Sequence, residues 1–152
     1  MKKQPEVTAA TRQKLMDAFW SIYKEKAIDK ISIAEITRIT GNNRGTFYHY
    51  FKDAYDVLEQ IEDGLIKQVN TEVKEALSNY AFKEDARDIN LLYSFSAPIF
   101  KRHEEKLFTL LGKDGDPKFT SKFKENFRSM LIHFWNLPEE TKYLDYLMEY
   151  TY

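Results

Sequence analysis

The chain has 152 residues, 43% hydrophobic and 15% aromatic, with a formal net charge of −1 and no Cys. That size and composition suit one or two small globular domains and exclude a disordered chain, a disulfide framework and a thiolate metal site. No apolar run is long enough to span a membrane, and the basic start MKKQPEVTAATRQK has no apolar core behind it, so a cytoplasmic chain is expected.

The net charge hides an asymmetry. Residues 1–52 carry ten Lys/Arg against five Asp/Glu, a balance of +5, and residues 53–152 carry thirteen against nineteen, a balance of −6. A basic first third suggests a polyanion partner for that part alone, set against the blander reading of ordinary surface variation.

Strand signals are almost absent and apolar residues recur at helical spacing, so an all-α fold of about eight helices is expected. Thr8 is expected to cap a first helix reaching Lys26, with Leu15, Phe19 and Ile22 on one face and Met16, Trp20 and Tyr23 widening it. Ser32 and Glu35 form the S-x-x-E pattern of a capping box. The short helix behind it, ending at Thr40, should bury Ile33, Ile36 and Ile39. Gly41 suits the left-handed position that closes a helix, and Asn42-Asn43 is turn-and-cap chemistry for the next helix, RGTFYHYF. Asp53 and Asp56 then open a long helix from Ala54 to about Tyr80, with Val57, Leu58, Ile61, Leu65, Val69, Val73 and Leu77 as its buried stripe. After the charged connection FKEDARD, a helical pattern runs from Ala86 to Gly112, where Pro98 should force a kink or a break. The loop GKDGDPK precedes a helix over about Phe119–Trp135, and Pro138 and Glu139 start a last one reaching Tyr152.

Residues 41–53, GNNRGTFYHYFKD, mix polar and aromatic groups in a way that a plain core helix does not. Two short helices joined by a Gly-containing turn, after one longer helix, have the layout of a helix-turn-helix. A recognition helix must approach the DNA backbone closely, which Gly45 allows. Thr46 and Tyr48 carry hydroxyls for phosphate oxygens, Arg44 can fork onto guanine or phosphate, and Lys52 adds charge at the far end. Asn42 and Asn43 stand at the leading edge, where Asn can read adenine or cap the helix. Phe47 and Phe51 would anchor the helix on Phe19, Ile22, Ile36 and Ile39.

From about Thr11 to Leu58, the stretch SIAEITRITGNNRGTFYHYFKDAYDVL above all, the chain resembles the N-terminal domain of TetR-type transcriptional regulators. Gly41, Gly45, Thr46, Phe47, Tyr48 and Phe51 carry the resemblance, which covers about a third of the chain firmly. It implies a three-helix DNA-binding domain over residues 1–53 and a helical regulatory and dimerisation domain, a C-terminal bundle, over 54–152. It further implies a homodimer on a palindromic double-stranded DNA operator and a small-molecule effector. By resemblance, Ser32, Thr46, Tyr48 and Lys52 lie at backbone-contacting positions, and Asn43 and Arg44 can face bases. Position 42 is usually small and apolar in such proteins, 37 and 40 are usually Ala, and a Lys usually stands where this chain has Ala54.

Other signals are bland. His49 is a surface residue or a minor phosphate partner, and HEEK at 103–106 lacks the second His of a zinc-protease motif. The clusters Glu84–Asp88 and Asp114–Asp116 read as solvated loops, DGD is too short for a calcium loop, and no metal, cofactor or enzymatic constellation is expected. The C-terminal half is rich in aromatics, which serve equally as core and as pocket wall; Tyr93, Phe100, Phe108, Phe127 and Trp135 are the candidate effector contacts. The stripe Tyr143, Leu144, Leu147 and Met148 has no successor to cover it, so the second domain reads as incomplete or as ending on a partner surface. The leading reading is a ligand-responsive repressor. Its rival is a co-regulator of the same type that acts through a protein partner with little DNA contact.

Overall fold

The computed structural model describes residues 5–79 and 89–141. Among them are seven α-helices: α1 (Pro5–Tyr23), α2 (Ile33–Thr40), α3 (Arg44–Tyr50), α4 (Ala54–Ser78), α5 (Ile89–Arg102), α6 (Glu104–Leu111) and α7 (Pro117–Trp135), with a 3-10 turn at Ile28–Lys30. The fold is all-α, as the periodicity demands. The chain divides into two compact units, Met1–Gly64 and Leu65–Tyr152, the division falling within α4. Pro138 and Glu139, where the last helix is expected to start, lie in irregular backbone and turn instead; the remainder of that expected helix, its apolar stripe and the Glu84–Asp88 cluster lie outside the described residues.

In the first unit, α1 packs on α2 and α2 on α3. Leu15, Phe19, Ile36, Phe47, Phe51 and Val57 are almost wholly buried, so Phe47 within the short third helix and Phe51 at its C-cap do anchor it. Ile39 does not join this core; it is 53% exposed. At about 100° per residue, positions 33, 36, 37 and 40 share one face and 39 lies about a third of a turn away. The buried place goes to Thr37, whose hydroxyl donates to the carbonyl of Ile33 at 2.9 Å. Thr40 donates likewise to Ile36 at 3.2 Å. Both Thr thus have their hydroxyls satisfied by carbonyls of their own helix.

Several helix ends differ from expectation. Thr8 lies inside α1, which begins at Pro5, a residue whose fixed φ suits a first helical position. The helix stops at Tyr23, short of Lys26, whose ammonium pairs with Glu35 at 2.6 Å. Ser32 and Glu35 do form the reciprocal capping box, and Gly41 closes α2 at φ 69°.

In the second unit, the C-terminal half of α4 contributes buried Leu65, Val69 and Val73, while Leu77 is only half-buried. Pro98 is carried inside α5, and the helical run breaks further on, at His103. There Glu72 of α4 accepts from the Arg102 guanidinium at 2.6 Å and meets His103 Nε2 at 3.0 Å. The Gly112–Gly115 turn brings backbone so close that a Cβ on Gly115 would stand 2.0 Å from the Leu110 carbonyl oxygen. Asp116 then caps α7 by accepting from the Lys118 N–H at 2.8 Å, with Pro117 in the first position, so the helix starts before Phe119.

Candidate nucleic-acid interface

The turn between α2 and α3 is built from backbone satisfaction. The Asn42 N–H donates to the Thr37 carbonyl at 3.1 Å, beside the left-handed Gly41. Asn43 is the N-cap of α3: its Oδ1 accepts from the Thr46 N–H at 2.8 Å and the Thr46 hydroxyl at 3.1 Å. Between the two roles open to Asn43, the geometry shows the capping one. Asn42 is half-buried in the turn.

α3 has two unlike faces. Phe47 is buried, and Phe51, just past the helix, is buried with it, their ring centroids 5.5 Å apart. Arg44, Gly45, Tyr48, His49 and Lys52 are exposed, and Thr46 is half-buried. Tyr48 is 56% exposed and stands edge-on to Phe47, so its ring base is braced while its hydroxyl end is free of the core. His49 lies edge-on to Tyr50. Ser32 is exposed at the start of α2, with its hydroxyl engaged in the capping box.

A polar network fixes the joint between α3 and α4. Asp53 accepts from the Asp56 N–H at 2.8 Å, and Asp56 accepts from the Lys52 N–H at 2.8 Å and from Gln60 at 3.0 Å. The Gln60 carbonyl oxygen in turn accepts from Arg12 of α1, whose guanidinium lies 5.7 Å from the centre of the Phe51 ring. Partial burial works against ionising Asp56, but the hydrogen bonds from Gln60 and Lys52, with the charges of Lys52 and Arg12, outweigh it and hold its carboxyl below the ordinary value. Glu35 is also lowered, first by its hydrogen bond from Lys26 and then by the Ser32 N–H.

Ala54 opens α4 and is buried, so the first position of that helix presents no charge. Its neighbour Tyr55 is 57% exposed, and Arg38, in the last turn of α2, is exposed as well. Neither was singled out by sequence, because each sits outside the Gly-x-x-x-Gly-Thr pattern; only position next to the turn marks them.

In the second unit a cavity of about 460 Å³ lies among the end of α5, α6 and α7. Phe100, Phe108 and Phe127 are among its lining residues; Tyr93 and Trp135 are not. Tyr93 is 73% exposed, and Trp135 is half-buried against Phe134. Among the described residues there is no group of three or more His, Cys, Asp or Glu that could hold a metal, and no helix long and apolar enough to cross a membrane.

The chain is similar to two bacterial proteins. It is 30% identical over 70 residues, 46% of this chain and 36% of the relative, to the uncharacterized HTH-type transcriptional regulator YvdT of Bacillus subtilis. It is 28% identical over 60 residues, 40% of this chain and 28% of the relative, to the HTH-type transcriptional regulator AcrR of Shigella flexneri. The matched stretch thus spans about a third of the length of these relatives. No family model matches the chain, and no solved structure does.

Proposed function

We propose that this protein is a DNA-binding transcriptional regulator of the TetR type, acting in the cytoplasm as a homodimer on a palindromic operator. The observation that carries the reading is the two-faced third helix: Phe47 and Phe51 buried, and Arg44, Gly45, Tyr48, His49 and Lys52 presented outward from a capped turn. The likeness to two proteins named HTH-type transcriptional regulators supports it. In this reading residues 1–53 form the DNA-binding domain and residues 54–152 the regulatory and dimerisation domain. Arg44 forks onto a base edge or a phosphate. Thr46, Tyr48, Lys52 and Ser32 contact the phosphate backbone, His49 adds a minor phosphate contact, and Asn42 and Asn43 shape the leading edge. Tyr55 supplies a hydroxyl beside Ala54. A small effector favours a helix arrangement with the wrong spacing between the two readers of the dimer and so releases the operator, which makes the protein a repressor.

The buried Ala54 favours one rival: a co-regulator of the same type that works through a protein partner. A gel shift on the double-stranded region upstream of the protein's own gene separates the two. The DNA-binding reading expects a specific complex whose affinity falls about a thousandfold between about 50 and about 200 mM salt, for roughly six phosphate contacts. It expects the Arg44→Ala, Tyr48→Phe double variant to lose that complex. A folded dimer that shifts no DNA at either salt, yet co-purifies with a defined protein, would decide for the rival.

A further inference from the structure

The cavity in the second unit has a built aromatic wall. Phe100 of α5 stands edge-to-face against two rings of α7, Phe123 at 6.4 Å and Phe127 at 6.1 Å, with interplanar angles of 74° and 70°. Phe123 is backed by the fully buried Phe119 at 5.7 Å, so the wall is held from behind. Leu107 and Leu111, four residues apart on α6, form the aliphatic side, and Phe108 is 75% exposed although it lines the cavity. Perpendicular rings offer both electron-rich faces and electropositive edges, which suits an incoming ring in either a stacked or an edge-on pose. The volume, about 460 Å³, falls within the roughly 300–1,000 Å³ of small-molecule sites. About one turn of helix with its side chains would fill it, so a docked helix of ordinary length does not fit.

The polar groups of the lining set the ligand's charge. Among the described lining residues Glu104 and Lys124 are the ionisable ones, one of each sign. Glu104 is engaged by Lys101 at 2.6 Å, and Lys124 is not free either. A charged ligand would give up hydration without an uncommitted counter-ion among the described lining residues, which disfavours it against a neutral ligand of the same shape. Thr120 adds one hydroxyl.

We propose that this cavity binds a neutral, ring-bearing small molecule with at most one hydrogen-bonding group, held among Phe100, Phe108, Phe123 and Phe127. The binding rests on the cavity alone; that such a molecule is the effector rests on the function proposed above.

The test uses the full chain and two fluorescent probes with the same rings, neutral phenyl-naphthylamine and its anionic sulfonate, anilinonaphthalene sulfonate. The neutral probe is expected to bind one per chain in the micromolar range, at least tenfold more tightly than the sulfonate. Leu111→Trp fills the cavity and should weaken binding at least tenfold. Phe108→Ser removes an exposed ring, does not threaten the fold, and should weaken it severalfold. Tyr93→Ser, outside the lining, should leave it unchanged. Equal or tighter sulfonate binding overturns the proposal, as does a folded chain that binds neither probe. It is also overturned if the probe is expelled as a dimer forms with rising protein concentration, which would put a second copy over the cavity. A chain that binds the probe but shifts no operator would sink the DNA-binding reading alone; one that shifts DNA but ignores the probe would sink the cavity ligand alone.

Discussion

Asn70 of α4 and Asn126 of α7 face each other as a matched amide pair, each side-chain NH2 donating to the other's oxygen at 2.8 Å. Both are half-buried, so neither amide is fully compensated by water if its partner is lost. Asn126→Ala should therefore destabilise the protein by about 1–2 kcal/mol. Replacing both by Leu should recover most of the loss, because no polar group is then stranded. A double-mutant cycle by urea unfolding reads the coupling; additive single effects would mean that the pair contributes nothing as a pair.

The cap at Asn43 separates structure from recognition. Asn43→Ala removes the acceptor for the Thr46 N–H and should cost about 1 kcal/mol of stability. Asn43→Asp keeps the cap and should hold the melting temperature, while its new charge repels phosphate and weakens operator binding. Equal operator affinity in the Asp variant would remove the first turn of α3 from the interface.

Gly45 makes a related test. A Cβ there would lie 3.3 Å from Asn43 Oδ1, tight enough to press on the cap. That pressure opposes the gain of up to about 1 kcal/mol from replacing Gly by Ala within a helix. Gly45→Ala should thus change stability by less than about 0.5 kcal/mol, yet weaken operator binding by holding α3 off the backbone. Calorimetry and a gel shift on one preparation decide it; undiminished binding would show that close approach at Gly45 is not needed.

Acid should weaken the fold through three carboxyls. Glu72 is held below its ordinary value first by the Arg102 hydrogen bond, against partial burial, with His103 assisting. Glu35 and Asp56 are lowered too. A depressed folded-state pKa stabilises the protein above the unfolded value and loses that contribution as pH falls through the folded one. Stability should therefore hold above about pH 4.5 and decline below it. Glu72→Gln should cost about 1 kcal/mol near neutral pH and flatten part of the acid limb. Melting curves from pH 3 to 7 test this; parallel curves for the two proteins would mean that Glu72 titrates alike in both states.

What could be read from the residues in order follows a physical line. The capping box at Ser32 and Glu35, the cap at Asn43 and the closing Gly41 are local rules, each satisfied within a few residues. Phe47 and Phe51 were legible because large apolar groups on a short helix have one place to go. Ile39 was misread because a helix of eight residues has a face too narrow for every apolar position, and a Thr that bonds its own helix can take the core. Pro98 marks a kink or a break in the sequence, but the helical run breaks at His103, where Glu72, 30 residues from Arg102, grips the joint, and no local pattern records such a contact. The aromatic cavity wall was half legible. Composition marked Phe100, Phe108 and Phe127, but the same composition marked Tyr93 and Trp135, and only space separates them.

The contact between Arg12 and Gln60 spans 48 positions and has a consequence for synthesis. A ribosome adding roughly 5–20 residues per second delivers Gln60 some 2–10 seconds after Arg12. Until then Arg12 of α1 lacks its Gln60 partner, and Val57, Leu58 and Ile61, all buried in the folded chain, have yet to join the first unit. The first unit thus closes late, on the arrival of the helix that also opens the second. A nascent chain stalled just before α4 should be the stage most readily held by chaperones, and a fragment carried on to Gly64 the shortest one that folds.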